Sequence, residues 1–145
     1  MMKKGGKIEQ KMEEKVVIDA THAILGRMAS YVAKQALRGK HVVIVNCSKA
    51  IIVGDKNLIL KDYQAARRRG GSALRGPNIS KVSYRIVKRT VRGMLPYKKE
   101  RGRKALGNVI CFNDLPKEYE NAHKIKAGRQ ITTRVITLEE LSKLM

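Results

Sequence analysis

Between residues 16 and 45 the chain reads strand, helix, glycine, strand, and that succession restricts its fold more than any other feature. Val16-Val17-Ile18 is a short β-branched run, the composition of a buried strand. Leu25, Met28, Ala29, Val32, Ala33, Ala36 and Leu37 then recur at spacings of three and four, which puts them on one helical face. Gly39 follows where a helix stop is expected, and His41 to Val45 is a second apolar run. Such a unit is βαβ, with parallel strands and a right-handed crossover. Neither strand alternates apolar with polar residues, so a parallel sheet covered on both faces is expected.

The rest of the chain is read around that unit. Ala50 to Val53 is a third apolar run, but the link from Val45 is too short for a parallel crossover. An antiparallel edge strand, a bend and a helical turn all remain open there. Asp55 can cap a helix reaching about Arg69, with Leu58, Ile59, Asp62, Tyr63 and Ala66 at helical spacing. Residues 70–78 (GGSALRGPN) form a loop by composition. Ile79 to Met94 is an amphipathic pattern ended by Pro96, and 97–107 is a basic loop or short helix. Asn108 to Phe112 is the last clear core strand, and 113–130 looks irregular. Thr137 with Glu140 makes a capping box for a terminal helix. Residues 1–15 alternate charge sign and are expected to be a mobile or loosely helical extension. Residues 16–145 then form one domain, the number that 145 residues suits.

Charge decides the kind of partner. The chain carries 32 Lys or Arg against 12 Asp or Glu, a net of +20. Such self-repulsion destabilises a compact chain unless a polyanion relieves it. From Lys61 to Lys104 there are 15 Lys or Arg and two acids, a net of +13. Arg67, Arg68 and Arg69 stand beside Gly70, where guanidinium forks meet backbone that can approach phosphate closely. Lys81, Arg85, Lys88 and Arg92 fall within roughly 60° of one another on a helical wheel, opposite the apolar side. Solvated faces normally mix signs, but residues 79–94 contain no acid. Lys98, Lys99, Arg101, Arg103 and Lys104 follow with one acid, Glu100. One Phe, no Trp and five scattered Tyr give no platform for stacking single-stranded bases. Folded nucleic acid, held by its phosphates, is the expected partner. A membrane is not, because no strongly apolar amphipathic helix accompanies the charge.

Enzyme readings find little support. The helix after the first strand opens at Leu25-Gly26, without the G-x-G-x-x-G of a dinucleotide site, and no G-x-x-x-x-G-K-[ST] occurs. No G-x-S-x-G marks a serine nucleophile. His22 near Asp19 reads as a loop histidine ahead of a helix rather than a general base. A processing enzyme would instead need a polar pocket at the strand ends, where α/β folds bind ligands. Cys47 and Cys111 sit beside or within apolar stretches and read as buried small hydrophobes in a reducing compartment. Neither shows ligand spacing with His22, His41 or His123, so no metal or other cofactor is expected.

Six segments together carry a family resemblance. They are VIDA (17–20), LGRMASYVAK (25–34), the Gly39-to-Asn46 stretch, IIVGDK (51–56), RRRGG (67–71) and RTVRGMLPYKKERGRKAL (89–106). In that order and spacing the chain resembles the universal large-subunit ribosomal protein L-thirteen family, most closely its archaeal branch. The resemblance covers about residues 16–145. It implies a three-layer α/β/α fold with a small, mostly parallel four-stranded sheet and basic loop extensions. It implies a cytoplasmic seat on large-subunit ribosomal RNA beside other ribosomal proteins, and an early role in subunit assembly. It implies no enzymatic activity and no small-molecule substrate. Arg67 to Arg69, Gly93 to Pro96 and the cations from Lys98 to Lys104 fall in family motifs, so RNA contact there is carried over from the family.

Overall fold

A computed structural model describes residues 14–69, 76 and 78–145. The expected βαβ unit is present as β1 (Lys15–Asp19), α1 (Leu25–Leu37) and β2 (His41–Val45). The strands pair in parallel, with Val16 opposite Val42 and Ile18 opposite Ile44. Ile24 precedes α1 without any side-chain cap. The helix start is held by tertiary structure instead, because the Ala23 carbonyl accepts from Ile51 N at 2.9 Å. Gly39 follows α1 at φ +86°.

The chain then makes a 3-10 turn (Cys47–Lys49) and β3 (Ile51–Val53). Two helices follow, α2 (Lys56–Arg68) and α3 (Ser83–Met94), then the short α4 (Glu100–Gly107) and β4 (Val109–Cys111). A second 3-10 turn (Lys117–Tyr119) leads to β5 (Lys124–Lys126), β6 (Val135–Thr137) and α5 (Leu138–Leu144). The main sheet has the order β4-β2-β1-β5, with every neighbouring pair parallel. β3 and β6 form a separate antiparallel ladder. That settles the 50–53 segment as an antiparallel strand.

Strand order and crossover hand together explain the layers. The steps β1 to β2 and β2 to β4 run in the same direction across the sheet. Right-handed crossovers therefore place their connections on one face. Ile18, Val42, Ile44 and Val109 point to that face, into a cluster shared with α1, α3, α4 and α5. The step from β4 to β5 runs the other way and must cross the opposite face. There Val17, Val43 and Val45 are covered by Tyr119, with Phe112, Leu115 and Ala122 packed around them. The fold is thus a three-layer α/β arrangement with one thick helical layer and one thin layer.

Three local expectations change. The first strand begins at Lys15, and the Glu14 carbonyl accepts from His41 N at 3.1 Å, so residues 14 and 15 belong to the sheet and not to the extension. Residues 113–130, expected to be irregular, contain β5, the fourth strand of the main sheet. Its sequence, Lys-Ile-Lys, has one apolar residue, as suits a short edge strand blunted by charge. Residues 79–82 are not helical. Ser83 is buried, and Asn113 Oδ1 accepts from Tyr84 N at 2.9 Å. An acceptor from a distant part of the chain therefore sets where α3 starts.

The expected cap of α2 is present, and so is the threonine half of the box at α5. Asp55 Oδ1 accepts from Asn57 N at 2.9 Å and Leu58 N at 3.3 Å. Thr137 Oγ1 accepts from Glu140 N at 3.2 Å, while the Glu140 carboxylate turns to Lys56 at 3.1 Å. α2 has no buried residue and touches the core only through partly buried Ile59, Leu60 and Tyr63. Its dependence on the cap is correspondingly high. Asp55→Ala should cost about 1 kcal/mol of stability, read as a lowered urea midpoint with an unchanged m-value.

Candidate RNA-binding surface

The thirteen sequence-selected residues distribute over three elements and their joints. Arg67 and Arg68 end α2, and Arg69 is its exposed C-cap. Gly70 lies outside the described residues. Lys81 sits in a bend before α3 and so leaves the expected four-cation stripe. Arg85, Lys88 and Arg92 remain on the helix, with Arg85 and Arg92 exposed and Lys88 half-buried. Lys98 and Lys99 lie in the turn after α3, and Arg101, Arg103 and Lys104 lie on α4, all exposed.

Two contacts link these elements. A groove of about 340 Å³ between α2 and α3 is lined by Asp62 and Tyr63 on one side and by Arg85 and Arg89 on the other. Burial pushes the Tyr63 hydroxyl up, and the Arg89 charge opposes that shift. At the other end of α3 the Arg92 guanidinium lies 4.9 Å from the centre of the Tyr97 ring, a cation–π contact that ties the helix to the basic turn. Arg85 is held similarly, with Nε donating to Tyr84 Oη at 3.3 Å. Arg89 is exposed and belongs with these cations, although the sequence stripe omitted it. Its spacing of four from Arg85 is the signal that identifies it.

The basic segment after α3 is a tight turn into a helix. Leu95 is buried, and Lys99 N donates to the Pro96 carbonyl at 2.9 Å. Gly102 is buried against the same carbonyl; a Cβ added there would lie 2.0 Å from the Pro96 oxygen. The glycine is therefore a close-packing position that aims α4 away from the end of α3.

Charge pairing separates this surface from the remainder. Ion pairs Glu14–Lys40, Lys56–Glu140, Asp55–Arg134 and Glu139–Lys143 all lie outside residues 61–104. Within that stretch, Lys104 with Glu100 at 3.0 Å is the one ion pair among the described residues. Both side chains are about three-quarters exposed, so this pair contributes little.

Two titratable sites outside the basic surface bear on chemistry. Cys47 is buried and Cys111 half-buried, and both are free. Cys47 Sγ donates to the Ile44 carbonyl at 3.9 Å. The neighbouring Cys111, then burial, pushes the Cys47 thiol up, while the neighbouring Cys47 holds Cys111 down against burial, helped by the Lys88 charge. For Asp19, burial pushes the carboxyl up. Hydrogen bonds from Thr21 and Asn46 with the charge of Lys124 outweigh it, so the group is held below its ordinary range. Asp19 is thereby a fixed ionised acceptor rather than a proton carrier near neutrality. Among the described residues no group of three or more His, Cys, Asp or Glu is placed to hold a metal. No helix among them is long and apolar enough to cross a membrane.

A parallel α/β fold whose α2, α3 and α4 carry cations that, Lys56 and Lys104 apart, form no ion pair with a described residue has the charge distribution suited to a polyanion. The sequence profile of the family described as ribosomal protein L13 matches residues 13–118. The large ribosomal subunit protein uL13 of Methanocaldococcus jannaschii is 45% identical over 130 residues, which span 88% of this chain and 94% of that protein. The uL13 of Thermoplasma volcanium is 42% identical over 130 residues, spanning 88% and 95%. That of Methanosarcina barkeri is 46% identical over 110 residues, spanning 75% and 78%. The chain belongs to the ribosomal protein L13 family.

Gly102 gives a direct test of how the basic segment is aimed. Gly102→Ala should destabilise the protein by about 1–3 kcal/mol, seen in thermal melts. Gly107→Ala, where a Cβ meets nothing within 4 Å, serves as the tolerated control.

Proposed function

We propose that this chain is a structural, non-enzymatic constituent of the large ribosomal subunit that binds folded large-subunit RNA through Lys and Arg contacts to phosphate. The observation that carries this reading is the near-absence of charge pairing among the described residues of 61–104, on a chain whose relatives are named large ribosomal subunit proteins. The contacts are assigned to Arg67, Arg68, Arg69 and Gly70, to Lys81, Arg85, Lys88 and Arg92 with Arg89 added, and to Lys98, Lys99, Arg101, Arg103 and Lys104. Neighbouring ribosomal proteins are its further partners, and the cytoplasmic ribosome is its location. A protein that binds RNA through elements distant in sequence can hold RNA segments together early in assembly. The RNA-binding domain expected for residues 16–145 takes in Glu14 and Lys15 as well, which join it through His41, and residues 1–13 lie outside it.

Each neutralised phosphate contributes roughly 0.7–0.9 to the log–log dependence of affinity on salt. The full-length protein on its RNA should show a slope of magnitude at least ~5; a flat dependence would sink the phosphate reading. Replacing Arg85, Arg89 and Arg92 together by Glu should weaken binding at least ~100-fold and lower the slope by about 3, with circular dichroism unchanged. Unaltered affinity in that variant would make the α3 cations solvated surface only. In lysate sedimentation the protein should travel with large subunits in high salt, whereas a free regulatory RNA-binder would stay at the top of the gradient.

A further inference from the structure

The sheet contains a second place built for a ligand, remote in kind from the basic helices. β1 is followed by a step in one direction, to β2, while β5 arrives on its other side from the opposite direction. Strands so connected leave a crevice beyond their carboxyl ends, and in open α/β sheets ligands bind at that point. Here the crevice is real, with a volume of about 720 Å³, inside the range of small-ligand sites.

Its walls are set by the backbone. His22 adopts φ 55°, a left-handed conformation uncommon for a residue with a side chain. It is held there from both sides, with His22 N donating to Lys49 O at 3.1 Å and His22 O accepting from Arg129 N at 3.4 Å. Across from it, Gly128 lies so near the Thr21 carbonyl that an added Cβ would sit 2.1 Å from the oxygen. Strained conformations and such close approaches gather at functional sites.

Beside the polar Thr21, His22, Gln130 and Thr132, the crevice offers three further kinds of side chain. Lys126 and Arg129 are exposed cations that form no ion pair with a described residue. Ile131 and Val135 supply aliphatic surface. Asp19 supplies a carboxylate whose Oδ1 is occupied by Thr21 N at 3.0 Å, Thr21 Oγ1 at 2.7 Å and Asn46 Nδ2 at 3.1 Å. Those three bonds fix the plane of the carboxylate. Oδ2 receives no hydrogen bond from a described residue and is left to accept from a ligand.

A ligand matching this set has an anionic group for the cations, a flat apolar body for the aliphatic wall, and a hydroxyl to donate to Oδ2. We propose that the crevice at the ends of β1 and β5 is a ribonucleotide-binding pocket, with phosphate at Lys126 and Arg129, base against Ile131 and Val135, and ribose 2′-hydroxyl on Asp19. The hydroxyl contact gives the pocket a means of separating RNA from DNA. The ligand is either a free nucleotide or a nucleotide extruded from bound RNA, since both offer the same groups. This inference does not rest on the basic surface of α2 to α4.

The test is a titration of the full-length, RNA-free protein with adenosine 5′-monophosphate, its 2′-deoxy counterpart and inorganic phosphate, followed by backbone-amide NMR. The ribonucleotide should shift the amides of Thr21, His22 and Gly128. The deoxy form should bind ~10-fold more weakly, the loss expected for one hydrogen bond to a charged acceptor. Asp19→Asn, which keeps an oxygen for Thr21 and Asn46, should bring both ligands to the weaker value. Arg129→Glu should weaken both and leave circular dichroism unchanged. Shifts confined to α3 and α4, or equal affinity for the two nucleotides, would overturn the proposal. A photo-crosslinker at Ile131 on the RNA-bound protein separates the sources. Crosslinking to an RNA nucleotide with loss of adenosine monophosphate binding identifies an extruded one, and retained binding without the crosslink identifies a free one. Crosslinking to a protein chain overturns the proposal. Salt dependence of RNA affinity reports separately on the basic surface, so failure of one reading leaves the other standing.

Discussion

The parallel pairing of β1 with β2 is the constraint on which the rest depends. Five register pairs, from Lys15–His41 to Asp19–Val45, join strands that must be connected over the top by α1. The hand of that connection chooses the face on which helices accumulate. β4 is added beyond β2, so its long connection stacks α3 and α4 beside α1. The step to β5 reverses direction across the sheet, so the same hand carries the chain over the opposite face, through the 3-10 turn that carries Tyr119. The cations therefore reach solvent on the helical layer, because α3 buries Ile86, Val87 and Val91 and turns Arg85, Arg89 and Arg92 outward.

Much of this was legible in the residues, and the exceptions share a physical cause. α1 and β2 could be read because burial on one helical face and continuous apolar runs leave period and composition in the local sequence. β5 could not, because an edge strand paired on one side needs little apolar surface, and Lys124-Ile125-Lys126 shows almost none. The start of α3 was misplaced by four residues because the Tyr84 N–H in its first turn is satisfied by Asn113, an acceptor no local window contains. The pairing of Ile52 with Ile136 was open for the same reason. Long-range hydrogen bonds decide such details, and they leave no periodic trace.

The cationic surface was legible as charge but not as geometry. Composition singled out residues 61–104, and twelve of the thirteen selected residues fall on described surface or half-buried positions. What escaped was their support: Tyr97 beneath Arg92, Tyr84 beside Arg85, and the inclusion of Arg89. Lys81 shows the converse error, a residue assigned to a ridge that the helix does not extend far enough to include. Between the loop and the short helix left open for residues 97–107, the structure takes the helix, with Gly102 buried under the Pro96 carbonyl.

That contact has a consequence for how the protein meets a charged partner. A basic segment that orders only on contact loses its conformational entropy at the moment of association. Here α4 is folded against Leu95 and Pro96 beforehand, so most of that loss has already occurred during folding. On the proposed RNA-binding role, the cations from Lys98 to Lys104 would act as a rigid template, whose spacing selects among phosphate arrangements instead of adapting to them. Any such selectivity would trace to one missing methyl group, at Gly102.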